Sequence, residues 1–267
     1  MEEKKYGYLE TKDFLDRRIE TYKKYGERDI EPWLLKHAKV SAGSRMLDVG
    51  CGSGKQIELF GKTLGSKGFI IGCDIQQDLL EAAQRKITEQ KLNALVMHHD
   101  MNKNFPFVSG SFTHIISGFS AYYVDDAEAM LREFLRLLSP GGDLFIFGPG
   151  QATSENFWQL QAKTSGYPIN PISIQRRARL QSEFVPLIKK RFINVQTDTF
   201  MNTIRYPNAA GVINYYVSSL VFQEGVPETA RANAVTVMED AVKRVIEEKG
   251  YFEDKKEVIA ITARKGG

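Results

Sequence analysis

The sequence predicts an α/β fold with a seven-stranded, mostly parallel sheet and helices on both faces. Three observations carry that expectation. From residue 45 to residue 147, short apolar runs alternate with amphipathic stretches of 3.6-residue period, the pattern of parallel strands covered by helices. The first apolar run ends in three glycines, Gly50, Gly52 and Gly54, at the carboxyl end of a strand, where open α/β sheets bind ligands. The chain has 267 residues, 42% hydrophobic and 26% charged. That composition supports a sizeable core and excludes a disordered, collagen-like or coiled-coil chain.

The elements follow in order. Residues 12–39 read as two helices. Leu15, Ile19 and Tyr22 share one face of the first, Gly26 interrupts, and Pro32 opens the second, which carries Trp33, Leu34 and Ala38. Residues 45–49 form the first strand, 55–64 a helix, and 69–73 the second strand. Asp78-x-x-Glu81 reads as a capping box ahead of a helix with Leu79, Leu80, Ala83 and Ile87 inward. Residues 95–97 and 112–117 are the third and fourth strands. Asp125-x-x-Glu128 reads as a second capping box, and Ser139-Pro140-Gly141-Gly142 stops its helix. Residues 144–147 make the fifth strand. Residues 151–190 are mostly helical, 192–201 the sixth strand and 258–263 the seventh. Between these last two lie a helix over 207–222 and another over 227–249, whose Ala230, Ala234, Val237, Ala241 and Val245 share a face. The resulting division is an N-terminal helical cap (1–40), a core (41–203), an inserted helical cap (204–250) and a final strand (251–267).

Several function classes fall away on composition. The two cysteines, Cys51 and Cys73, stand in no CxxC or metal-ligand spacing, which argues against a disulfide scaffold and a metal site. The opening Met1-Glu2-Glu3-Lys4-Lys5 lacks the apolar region of a secretory signal, and no stretch reaches the roughly 18 apolar residues of a membrane span. The expectation is a cytoplasmic protein with no membrane partner. A net charge of +3 is too mild for a dedicated nucleic-acid binder. The oligomeric state stays open between monomer and homodimer.

Met46-Leu47-Asp48-Val49-Gly50-Cys51-Gly52-Ser53-Gly54 is the most informative stretch: strand, acid, glycines, helix. Glycines let the backbone approach a ligand closely, and the helix start favours negative groups. The spacing is G-x-G-x-G. A dinucleotide fingerprint would need a glycine where Lys55 stands, and a Walker loop would need Ser or Thr in place of Gln56.

This stretch resembles motif I of the class I S-adenosylmethionine-dependent methyltransferases, which have a Rossmann-like sheet. The resemblance continues in order through "FIIGCDI", "HHDMN", "FPFVSGSFTHIIS" and "MLREFLRLLSPGGDLFIFG". It covers residues 40–150 closely and the last two strands loosely. It implies S-adenosylmethionine as cofactor, held by Asp48, Gly50, Cys51, Gly52 and Gly54, with Asp74 and Ile75 at the ribose, Asp100 and Met101 at the adenine edge, and Ser117 after the fourth strand. Two departures stand out. Thr113 and His114 follow the Phe of the fourth strand, where the family commonly has an acid. Ser117-Gly118-Phe119-Ser120 replaces the tetrapeptide used on adenine-N6 and glutamine-amide substrates, which argues against those acceptors.

Methyl displacement from a sulfonium needs alignment and exclusion of water more than acid or base chemistry. His99, Tyr122 and Tyr123 are the candidates should a proton have to move. His114 reads as packed within its strand and His37 as a surface residue. The acceptor, expected to be a small molecule methylated at oxygen or nitrogen, would meet Phe119, Tyr122, Tyr123, Arg205, Tyr215 and Tyr216. The basic run Arg176-Arg177-x-Arg179 reads as a solvated helix face, and Cys51 and Cys73 as buried small apolar residues. The alternatives are an RNA or protein acceptor, or a non-catalytic module that binds the cofactor.

Overall fold

A computed structural model describes residues 11–267; the first ten residues of the expected N-terminal cap lie outside the described residues. Helix α1 (Lys12–Tyr25) starts at Thr11, whose hydroxyl accepts from the Phe14 amide at 3.3 Å, and ends at Gly26. Helix α2 (Glu31–Ala38) has Pro32 in its first turn, where a missing N–H leaves no bond unmade. Then follow β1 (Arg45–Val49), α3 (Lys55–Leu64), β2 (Phe69–Asp74), α4 (Gln77–Glu89), β3 (Ala94–His98), β4 (Phe112–Gly118), α5 (Ala127–Leu137) and β5 (Leu138–Pro149). The remainder is α6 (Glu155–Ser165), α7 (Pro171–Arg179), a wide helical turn (Leu180–Phe184), α8 (Val185–Lys189), β6 (Ile193–Tyr206), α9 (Ala209–Ser218), α10 (Leu220–Gly225), α11 (Arg231–Lys249) and β7 (Phe252–Arg264).

The strands of the described residues form one sheet in the order β3-β2-β1-β4-β5-β7-β6. All neighbours are parallel except β7, which runs antiparallel to both β5 and β6. The chain winds outward from β1 to β3 and then returns to β4 on the other side of β1. That reversal opens a crevice at the carboxyl ends of β1 and β4, where α/β sheets place ligands. One face of the sheet is buried by α5, α8 and the wide turn, through residues such as Leu131, Phe134, Phe184 and Ile188. The other is buried by α2, α3 and α4, through Leu34, Phe60, Leu80 and Ile87. A third apolar cluster joins α6, α9 and α11 to the far ends of β6 and β7.

The structure moves several expected boundaries. Asp78 does not cap α4; it lies in the first turn behind Gln76, which makes no side-chain cap bond. The cap of α5 is Asp126 rather than Asp125, its carboxylate accepting from the Ala129 amide at 2.9 Å. The helix expected over 207–222 breaks at Ser219, whose extended backbone (φ −82°, ψ 150°) starts α10. Helix α11 begins at 231, and its buried row is Ala234, Met238 and Val242, one residue round from the expected face beyond Ala234. Strands β6 and β7 are longer than expected because they continue as an antiparallel ribbon past the end of β5. Val258 pairs with Pro149, the last residue of β5, whereas β6 and β7 remain paired out to Tyr206 and Phe252.

Candidate active site

The glycine loop joins β1 to α3 at the crevice. Gly50, Gly52 and Gly54 have φ of 74°, 53° and 77°, the left-handed region that glycine enters without strain. At Gly50 a Cβ would also run into the Ser120 side chain, and at Gly54 it would press on Ala83 of α4. The loop is tied down by its backbone: the Gly50 and Cys51 amides donate to the Cys73 carbonyl at 2.8 and 2.9 Å. Asp74, at the end of β2, completes the tie. One carboxylate oxygen accepts from the Gly52 amide and the other from the Gln76 amide, both at 2.9 Å. Burial raises the Asp74 pKa, and the amides of Gln76, Gly52 and Ile75 oppose that rise by stabilising the anion.

Beside the loop lies a cavity of about 680 Å³, of a size that takes a cofactor-scale ligand. Gly50, Cys51, Gly52, Asp74, Ile75, Asp100 and Met101 all line it. Asp48, Gly54 and Ser117 stand behind the wall instead. Gly54 starts α3 against α4. The Ser117 and Ser120 hydroxyls lie 3.1 and 2.6 Å from the Val49 carbonyl and 2.7 Å from each other, holding β4 against β1. Asp48 is fully buried, and among the described residues neither of its carboxyl oxygens has a hydrogen-bond partner. Burial, with the nearby Asp74 charge, pushes its pKa up to about 8. The thiols of Cys51 and Cys73, both unpaired, are likewise raised by burial, as expected of small apolar wall residues.

The cavity wall is also aromatic, and α1 contributes to it. Tyr22, Phe119, Tyr122, Tyr123 and Tyr215 line it. The Tyr22 and Tyr215 hydroxyls are 2.7 Å apart, and Tyr215 is also 2.9 Å from the Ser154 hydroxyl. Arg18 donates to the Ser218 carbonyl at 2.7 Å. These contacts tie α1 to α9 above the site. Phe119 has φ 57°, an uncommon conformation for a residue other than glycine, and its amide donates to the Phe147 carbonyl at 2.7 Å. Backbone held in this way at the mouth of a site is stored local strain.

Two expected acceptor residues are corrected. Arg205 lies on the outer ribbon, ion-paired with Glu27 and Glu253, and does not line the cavity. Tyr216 is fully buried in the helical cluster, donating to Gln161 at 2.7 Å. His99 lines the cavity, but its ring packs at a tilt against Phe105, 4.3 Å between centres, and Nε2 sits 3.3 Å from the Lys103 carbonyl. His37 is no free surface residue: its ring bridges the Trp33 carbonyl at 2.8 Å and Asp198 at 2.9 Å. His114 is packed within β4, as the sequence implied.

The basic run on α7 is not a solvated face either. Arg179 is buried, donating to the Tyr122 and Val124 carbonyls at 2.8 and 2.6 Å. Arg176 pairs with Glu224 at 2.8 Å and stacks over the Tyr123 ring at 4.9 Å. Arg177 reaches the cavity and donates to the Thr153 carbonyl. Sequence reading missed Lys256 altogether. It lines the cavity with its ammonium 3.3 Å from the Tyr22 ring centre and 5.0 Å from that of Phe119. The signal was present: Lys256 shares a strand face with Phe252, Val258 and Ala260, all buried, so a cation there points inward.

Residues 46–142 match a family described as methyltransferase domain. Demethylmenaquinone methyltransferase from Listeria monocytogenes is 32% identical over 126 residues, covering 47% of this chain and 53% of that protein. The chain thus matches about half the length of the curated relatives it resembles. Among solved structures, an S-adenosylmethionine-dependent methyltransferase from Aquifex aeolicus superposes with a TM-score of 0.51 at 18% identity, covering 70% of this chain and 91% of that one. A Haemonchus contortus phosphoethanolamine N-methyltransferase in complex with S-adenosylmethionine superposes with a TM-score of 0.53 at 18% identity, covering 98% of this chain and 61% of that one. At such identities these two structures support the fold alone. Residues 46–142 thus carry a methyltransferase-domain match, set in a sheet of order β3-β2-β1-β4-β5-β7-β6 with the glycine loop and its acids at the point where the strand order reverses.

Proposed function

We propose that this protein transfers a methyl group from S-adenosylmethionine to an oxygen or nitrogen atom of a small-molecule acceptor. One observation carries the reading. The glycine loop, Asp74 and Asp100 line the same cavity as Tyr22, Phe119, Tyr122, Tyr123 and Tyr215, so donor and acceptor would share one space. The residues at the loop fit the donor. Each Asp74 oxygen accepts one backbone N–H, which leaves lone pairs for the two ribose hydroxyls. A Cβ at Gly52 would meet only Leu15 of α1, at 3.7 Å, so the loop leaves room beneath α1. Asp100 and Met101 would hold the adenine edge.

When bound, S-adenosylmethionine supplies a methyl group already activated by the sulfonium charge. The chain's own contribution is orientation and exclusion of water, which together can supply about 7–11 kcal/mol of barrier reduction. Helices α1 and α9, linked through Tyr22–Tyr215 and Arg18–Ser218, serve as the cap. The aromatic wall of Phe119, Tyr122 and Tyr123 suits a planar acceptor. Tyr122 and Tyr123 are the hydroxyl groups placed to accept or relay a proton. The unpaired thiols Cys51 and Cys73 suit the reducing cytoplasm. Among the described residues no helix is long and apolar enough to cross a membrane.

The test is calorimetric titration with S-adenosylhomocysteine. The wild-type protein should bind it with micromolar affinity, and Asp74→Ala should weaken binding at least tenfold, about 1.4 kcal/mol. A folded wild-type protein that does not bind S-adenosylhomocysteine would overturn the reading.

A further inference from the structure

The aromatic wall of the cavity also gathers positive charge. Lys256 enters from β7 and Arg177 from α7, with the Tyr22–Tyr215 hydroxyl pair nearby. Lys256 meets the faces of Tyr22 and Phe119, and among the described residues it has neither a carboxylate nor a hydrogen-bond acceptor as partner. Arg177 spends one N–H on the Thr153 carbonyl and has no carboxylate in ion-pair contact among the described residues.

The carboxylates of the cavity wall are engaged elsewhere. Asp74 and Asp100 are assigned to the donor. Glu27 pairs with Arg205, Glu31 with Lys55 at 3.8 Å, and Asp29 accepts from the Glu31 amide at 3.0 Å. Glu224 pairs with Arg176 through one carboxylate oxygen and accepts from the Ser173 hydroxyl through the other. Asp254 lies behind the wall, accepting from the Asn156 amide at 3.2 Å; burial pushes its pKa up to about 7, and the Arg177 charge opposes that rise without an ion-pair contact. Burial also lowers the Lys256 and Arg177 pKa values, and Lys55 and Arg18 add to the effect on Lys256. Lys256 and Arg177, which have no carboxylate in ion-pair contact among the described residues, are unfavourable in an aromatic chamber unless an anion joins them.

We infer that the aromatic wall forms an anion-binding subsite, in which Lys256 and Arg177 hold a carboxylate or phosphate group of a planar acceptor. This rests on the reading that the glycine loop holds the donor. Arg177 supplies a planar fork and Lys256 a point charge, a combination suited to an oxyanion. The aromatic faces of Tyr22 and Phe119 would lie along the acceptor's body, and the charge at its end would fix which atom faces the methyl group. The two α7 arginines that line the cavity differ in standing: Arg176 pairs with Glu224 and lies over the Tyr123 ring, whereas Arg177 has no carboxylate in ion-pair contact among the described residues.

The experiment titrates three probes into protein saturated with S-adenosylhomocysteine: 4-hydroxybenzoate, phenyl phosphate and the neutral 4-hydroxybenzamide. At least one anion should bind tenfold or more tightly than the amide, and whichever anion binds better identifies carboxylate or phosphate as the recognised group. Lys256→Met and Arg177→Gln should each weaken that anion tenfold or more while leaving S-adenosylhomocysteine affinity within about twofold of wild type. The apolar replacement at Lys256 suits its aromatic surroundings, and Arg177→Gln provides an independent arm should either variant misfold. Equal binding of amide and anions, no binding of either anion, or anion affinity unchanged in both variants would overturn the inference. Failure of wild-type protein to bind S-adenosylhomocysteine would instead strike the donor reading, so the two failures are distinguishable.

Discussion

Gly50 shows how much one residue decides here. Its φ is positive and its missing Cβ makes room for Ser120, which bonds the Val49 carbonyl at the base of the same loop. Gly50→Ala adds left-handed strain, on the order of 1–2 kcal/mol, to a steric conflict with a side chain that has no free direction to move. We expect Gly50→Ala to lose at least 2 kcal/mol of stability (about 1–3 kcal/mol for the overpacking alone) and to abolish S-adenosylhomocysteine binding. Urea unfolding and calorimetry on the same preparation check both; a variant as stable as wild type would show that the loop is not held as described. Residues of this kind were legible in the sequence, because glycine spacing and a strand-terminal acid have local causes. Lys256 and Arg177 were not. Their meaning depends on which face of a ribbon or helix the fold turns inward. Arg205 misled for the same reason: it is one strand position from a buried tyrosine, and alternation sends it outward to Glu27 and Glu253.

At the scale of elements, the sequence located β1 and α3 to the residue, since an apolar run and a glycine turn bracket them. The helix starts were read less well. A capping box is a spacing of residue types, and neighbouring acids satisfy it in more than one register. In α5 the structure chooses Asp126, while the Asp125 amide donates to the Asn102 side chain at 2.8 Å. Asp126→Ala should therefore cost about 1 kcal/mol, the usual value of an N-cap. Asp125→Ala should fall within about 0.5 kcal/mol of wild type, since its side chain caps nothing. Chemical denaturation of the two variants side by side reads the difference, and the reverse order would return the cap to Asp125. The outer halves of β6 and β7 escaped notice because Asp254 and Lys256 interrupt the apolar alternation. Those interruptions are the chemistry of the site rather than the end of the strand.

For the molecule as a whole, the buried carboxyls of Asp48 and Asp254 tie stability to pH. Asp48 and Asp254 have pKa values pushed up to about 8 and about 7, each chiefly by burial. In the unfolded chain both return to the ordinary carboxylate value of 3.8. Between that value and their raised ones, the folded protein binds more protons than the unfolded chain. Stability is therefore fully present below the ordinary carboxylate range and falls as pH rises toward 7 and 8, each group contributing a limiting slope of about 1.4 kcal/mol per pH unit. Lys256, lowered by burial, acts in the opposite sense, and its contribution grows as pH rises through its depressed value toward that of a free lysine. His114, whose pKa burial lowers, acts in the same sense as Lys256, and Asp74, raised by burial, in that of the two carboxyls. Urea midpoints measured at intervals from about pH 5 to about pH 8 should decline for the wild type. The decline should be shallower in Asp48→Asn and in Asp254→Asn, and shallowest in the double variant, because an amide of the same shape has no proton to lose. A wild-type midpoint that rises over that interval, or a double variant with the wild-type slope, would show that the two carboxyls are already ionised in the folded protein and that other groups set its response to pH.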